Sequence, residues 1–174
     1  AALLRPPTAD ELACVLQPGG EGCDDVHVTI VEGVGVMGIR PGISTMDDVE
    51  SLFPDLQPDI DGGTAHYPAQ GMSFTWCADD PRRAIISLWL QPPFPGRTTQ
   101  GLVLGTGTIE QVKQIYRPSS GYRTVFGETR WKELHDRTRF HIPSGEMGGS
   151  PDPGERVVRI DLVQPDGITN RTCD

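Results

Sequence analysis

Short apolar stripes of helical period alternate along this chain with runs of strand period, and each change of period marks an element. In TADELACVL, Thr8 stands three residues before Glu11, and Leu12, Val15 and Leu16 follow, a capping-box start with an apolar face that predicts a first helix. QPGGEG breaks it. VHVTIV then sets Val26, Val28 and Ile30 against His27 and Thr29, the pattern of a half-buried strand. Two further helices are expected after the N-cap candidates Thr45 and Thr108. Each carries a box partner (Asp48, Gln111) and a stripe at i, i+3 and i+4 (Val49, Leu52, Phe53; Val112, Ile115, Tyr116), and is stopped at Pro54 or Pro118. Behind each helix the period falls to two. AHYP, GMSFTWC and RAIISLWL are the expected strands of the first half, with Met72, Phe74 and Trp76 in phase and Ile86, Leu88 and Leu90 in phase. GYRTVFGE, TRWKELH and RVVRIDLV are those of the second. QPPFPGRTT, residues 91–99, reads as a stiff connector, and residues 144–155 as an extra loop.

The helix-bearing segment occurs twice. GIRPGISTMDDVESLF at 38–53 recurs without gaps as GLVLGTGTIEQVKQIY at 101–116, with Gly38, Gly42, Thr45 and Val49 repeated as Gly101, Gly105, Thr108 and Val112. Such self-similarity indicates a duplicated supersecondary unit. The expected architecture is one α+β domain of two tandem units, each a helix plus a three-stranded antiparallel sheet, with the helices on one sheet face. Residues 1–25 are the N-terminal helical segment, 26–95 the first half and 96–174 the second. The other sheet face must meet water or a partner.

Composition narrows the function. A 174-residue chain buries roughly 70% of its unfolded surface, and 21 Gly with 16 Pro favour turns over long helices. The formal charge of −9 argues against nucleic acid, whose binding needs an excess of Lys and Arg to release counterions. No apolar run approaches the ~20 residues of a membrane-spanning helix. The four cysteines, Cys14, Cys23, Cys77 and Cys173, form no CxxC pair. Their even number favours disulfides over four buried thiols, and of three possible pairings we favour Cys14 with Cys23 and Cys77 with Cys173. With a start at Ala1 that shows no leader features, this gives the expectation of a processed protein in the periplasm or outside the cell.

Motifs for catalysis are weak. GVGVMG at 33–38 matches GxGxxG, but Pro41 and Gly42 separate it from the helix, so a turn is the better reading. DIDGG at 59–63 resembles a calcium loop yet lacks the bidentate Glu six residues after its glycine, so a hairpin turn is expected. His135 and His141 have no evident third zinc ligand. There is no GxSxG or HExxH, and no serine stands beside a histidine. No catalytic residue, metal or cofactor is therefore expected. Trp89 and Trp131 stand out instead: each lies out of phase with the apolar residues of its strand, and Tyr122 shares the open face in this reading. Exposed aromatics among charged residues are common at protein interfaces.

The unit GIxxGxSTxxxVxxxF followed by strands resembles the repeat of bacterial BamE/SmpA-type outer-membrane lipoproteins, and in tandem it resembles the secreted β-lactamase-inhibitor-protein fold. That resemblance implies a noncatalytic exported protein with an open sheet face, a protein partner, and disulfides within each half. The function expected is a protein-binding module, an accessory subunit or assembly factor of a cell-envelope complex. The alternatives are a secreted inhibitor of a hydrolase, using residues 144–155, and an enzyme whose site has no recognised motif.

Overall fold

The computed structural model describes residues 4–116, 123–124, 129–134, 137–143, 154–164 and 173. The protein is a mixed α+β fold with three helices and two sheets among these residues. Helix α1 (Ala9–Leu16) begins at Thr8, where the full capping box forms: Glu11 N–H donates to Thr8 Oγ1 at 3.2 Å and Thr8 N–H to Glu11 Oε1 at 3.0 Å. Helices α2 (Met46–Leu52) and α3 (Ile109–Tyr116) start at the repeated threonines. Thr108 makes both bonds of its box with Gln111, at 3.0 and 3.3 Å. At Thr45 only Asp48 reaches back, accepting from the Thr45 N–H at 2.8 Å and from its hydroxyl at 3.4 Å.

The three-stranded sheet has the order β2-β1-β7, with β1 (Val28–Val31), β2 (Gly35–Val36) and β7 (Gly96–Thr98). Strand β1 alternates as expected, with Val28 and Ile30 buried and Thr29 exposed. Its pairing with β7 is parallel, and the whole first half forms the crossover between them. The proline-rich connector of 91–99 is thus partly a strand. Its Arg97 has the Thr29 cross-strand position.

The large sheet runs β3 (Asp59–Asp61), β4 (Thr64–Tyr67), β5 (Met72–Trp76), β6 (Ile85–Leu90), β11 (Arg159–Val163), β10 (Thr138–Pro143), β9 (Thr129–Leu134), β8 (Arg123–Thr124). Every pair is antiparallel, and the two halves meet at β6 and β11. Instead of two three-stranded sheets there is one continuous sheet with four strands from each half. Two strands had no distinct signal: β3 is the mostly polar DID, and TRFHIP, the sequence of β10, carries histidine and arginine at outward positions. DIDGG is the end of the β3–β4 hairpin, as the turn reading required.

One face of this sheet is the core. Phe74, Leu88, Leu90, Phe140 and Ile160 are fully buried in one cluster with Val15 of α1, Met46 and Val49 of α2, and Ile109 and Val112 of α3. All three helices pack on that face. The expected phase of β6 needs correction: Ile85 is buried and Ile86 is only half-buried, because a bulge between Thr75 and Trp76 shifts the register beside them.

The two repeated segments are held by matching bonds. Gly42 N–H donates to Ile85 O at 2.6 Å and Gly105 N–H to Val157 O at 3.1 Å. Ile85 and Val157 N–H return to Ser44 O and Gly107 O, at 2.9 and 2.8 Å. Met46 and Ile109 N–H bond Arg83 O and Glu155 O, at 3.0 and 2.8 Å. The repeated glycines share a conformation as well. Gly38, Gly101, Gly42 and Gly105 have φ of 77°, 93°, 87° and 90°, where any other L-residue is strained.

Cys14 is bonded to Cys23 and Cys77 to Cys173, with Cα separations of 5.5 and 5.1 Å. The second bridge ties a residue near the chain end to the end of β5, so it joins the halves, unlike the within-half pairing that the family resemblance implies.

Candidate functional site on the outward sheet face

Antiparallel register puts directly opposed residues on the same face. The row through Trp89 therefore reads Asp59, His66, Ser73, Trp89, Asp161, Arg139, Glu133 from β3 to β9. A second outward row contains Arg159, His141, Trp131 and Arg123. Trp89 and Trp131 thus hold positions on one sheet face, opposite the helices. The side chain of Trp131 lies outside the described residues, as do Tyr122, His135 and residues 144–153.

The side chains beside Trp89 are locked to one another. Arg159 lies over the indole, its Cζ 4.4 Å from the ring centroid, and the His66 ring sits at 5.6 Å. His66 Nδ1 is 2.9 Å from Ser73 Oγ, so the histidine that orients the tryptophan is itself fixed. Arg159 donates to Asp161 through Nε at 2.6 Å and Nη2 at 3.2 Å, and His141 Nε2 donates to Asp161 Oδ2 at 2.7 Å. Thr64 and Thr75 hydroxyls meet at 3.3 Å on the neighbouring row.

Asp161 is the electrostatic centre of this array. It is 7% exposed and His141 6%, although both stand on the outward face. Burial pushes the Asp161 carboxyl up, but the hydrogen bond and charge of His141 and then those of Arg159 outweigh it and hold the group below the ordinary carboxylate range. The half-buried Trp89 is thus flanked by polar side chains that are themselves hydrogen-bonded.

The sequence found Trp89 through its phase but not the groups that hold it. Arg159 and Asp161 showed only as the polar phase of RVVRIDLV. His141 was considered as a zinc ligand, whereas the structure bonds it to Asp161; no group of three metal-ligating residues occurs among the described residues. The pairing of His66 with Ser73 has no local signal, because it crosses a hairpin seven residues apart. Ser73 is 5% exposed and serves to orient that ring. Comparison with protein-family models, curated proteins and solved structures gives no match for the chain.

Proposed function

We propose that this chain is an exported, noncatalytic protein-binding module whose outward sheet face, centred on Trp89, docks another protein of the cell envelope or the extracellular space. The observation that carries the reading is the placement of Trp89 between His66 and Arg159 on the face opposite the described helices. Large aromatics held rigidly at a polar surface are the side chains that dominate interface energetics. Two disulfides suit an oxidising, exported compartment, periplasmic or extracellular. Within the described residues no helix is long and apolar enough to cross a membrane.

The module is a tandem duplication of a helix followed by strands, of the kind found in BamE-type repeats and the β-lactamase-inhibitor-protein fold, with halves at 26–95 and 96–174. Matching bonds at Gly42 and Gly105, the shared left-handed glycines and the mirrored strand order β3-β4-β5-β6 against β8-β9-β10-β11 support that reading. An accessory or assembly role follows, with inhibition of a secreted hydrolase as the rival use of the same face. Affinity capture with the native protein and with Trp89→Ala tests the assignment. Loss of the captured partner with unfolding temperature held within a few degrees is expected; retained capture with lost stability would show Trp89 to be a packing residue.

A further inference from the structure

The small sheet borders a hollow of about 630 Å³ that shares no residue with the array around Trp89. Strand β1 is parallel to β7 with Thr29 opposite Arg97, and these two are exposed, whereas Val28, Ile30, Gly96 and Thr98 are buried. Asp25 and His27, ahead of β1, and the turn from Thr98 to Gly101, behind β7, complete the wall. That turn is held in place. Thr99 N–H and its hydroxyl donate to the two carboxylate oxygens of Glu32, each at 2.7 Å, and Gly101 N–H donates to Thr98 O at 3.0 Å. The volume falls within the ~300–1,000 Å³ of small-molecule sites, but every lining side chain is polar, so the occupant must be polar as well.

The side chains of Asp25, His27, Thr29, Arg97 and Gln100 make no hydrogen bond or ion pair with the described residues. His27 Nδ1 is enclosed without a partner, which leaves Nε2 as the nitrogen able to reach a ligand. Asp25 and Arg97 decide what that ligand is. Four residue steps of ~3.3 Å and one inter-strand spacing of ~4.8 Å hold their Cα atoms within about 14 Å. Two opposite charges therefore line one hollow, yet no ion pair joins them. A lone anion on Arg97 would have Asp25 against it, and a lone cation on Asp25 would have Arg97 against it. A molecule that carries both charges meets a complement at each end.

We infer that this hollow binds a small zwitterion, a free amino acid or a dipeptide, with its carboxylate on Arg97 and its ammonium group on Asp25. The guanidinium offers a planar fork that matches a carboxylate, and His27, Thr29 and Gln100 supply hydrogen bonds along the wall. The charged ends of an amino acid are about 2.5 Å apart and those of a dipeptide about 7 Å, so with a hydrogen bond of ~2.9 Å at each end both fit inside the Cα limit. Asp25 and Arg97 are exposed, so water competes at both ends and the dissociation constant is about millimolar. The site is independent of the docking reading of the Trp89 face and stands whether or not that face takes a partner.

The test is a titration of the isotope-labelled full chain with L-alanine and with Ala-Ala up to about 20 mM, followed through backbone amide chemical shifts. Saturating shifts centred on residues 25–29 and 97–101 are expected, and the tighter ligand tells amino acid from dipeptide. The N-acetyl form of that ligand lacks the ammonium group and its C-terminal amide lacks the carboxylate, so each should bind about fivefold more weakly or worse. Arg97→Gln should abolish the preference for a free carboxylate, and Asp25→Asn that for a free amine. Both positions are exposed, so unfolding temperatures should stay within a few degrees of the parent. If a variant fails to fold, the blocked ligands on the parent chain decide alone. Shifts that rise without saturating, or an affinity indifferent to blocking either end, would overturn the proposal. So would an N-acetyl form that binds as well as the zwitterion, which marks a plain anion site, or preferences unchanged in both variants.

Discussion

Replacing Asp161 by asparagine probes the centre of the outward face with almost no change of shape. The carboxylate accepts three bonds, from Arg159 Nε, Arg159 Nη2 and His141 Nε2, at 2.6, 3.2 and 2.7 Å. Removing one partner of a buried charged pair typically costs 3–5 kcal/mol, because the other is left uncompensated. Here the Arg159 side chain retains 31% exposure and water takes up part of its charge, so about 2–3 kcal/mol is the reasonable figure at neutral pH. In a chain of this size that lowers the unfolding midpoint by roughly 4–12 °C. The pH dependence gives the sharper test. The folded Asp161 carboxyl is held below its ordinary value, so its contribution is complete above the unfolded pKa near ~3.9 and drains away as pH falls through the lower folded value. Thermal unfolding of both proteins between about pH 7 and pH 2 should show a gap that is constant down to about pH 5 and then closes. A gap that persists unchanged into strong acid would mean that Asp161 stabilises through shape and not through charge. A variant as stable as the parent at neutral pH would show that the pair only balances its own desolvation.

Other changes separate the remaining contributions. Thr8→Ala and Thr108→Ala each remove a hydroxyl that accepts from a helix N–H and should cost about 0.5–2 kcal/mol by chemical denaturation, while Thr45→Ala, whose hydroxyl makes no such bond, should cost less. Opening Cys77–Cys173, with its 96-residue separation, should destabilise by about 4–5 kcal/mol, and opening Cys14–Cys23, separated by 9, by about 2–3, if the chain-entropy account holds; equal losses measured in urea would contradict it. Gly42→Ala and Gly105→Ala both force a side chain into the left-handed region and should each cost at least ~1–2 kcal/mol, with the two losses similar because the surrounding bonds match. A neutral result at either site would break the equivalence of the two segments.

The sequence was informative where periodicity and backbone chemistry coincide. All three helices appear where an N-cap residue precedes an apolar stripe, and the glycines that repeat are those with φ that only glycine adopts without strain. It was uninformative where a strand owes its existence to a neighbour. TRFHIP pairs on both sides, with β9 and β11, and its histidine and arginine belong to the outward row; alternation in so short a run is hard to tell from a polar loop. The merger of two expected sheets into one had no local cause either. It depends on β6 and β11 both being apolar on the core side, Leu88 and Leu90 opposite Leu162 and Ile160, which leaves neither strand fit to be an edge.

That merger also governs the candidate site. Trp89 on β6 and Asp161 on β11 are cross-strand neighbours only because the halves join there, and Arg159, one outward position along β11, reaches the indole for the same reason. The constellation therefore draws its residues from strands on both sides of the seam. The outer strands are the opposite case. Asp59 and Asp61 on β3 are exposed and charged, which suits an edge that must resist pairing with another chain's backbone. In the proposed reading, recognition through side chains at the centre is compatible with resistance to strand addition at the β3 edge, so a partner would dock through the side chains and not by extending the hydrogen-bond ladder.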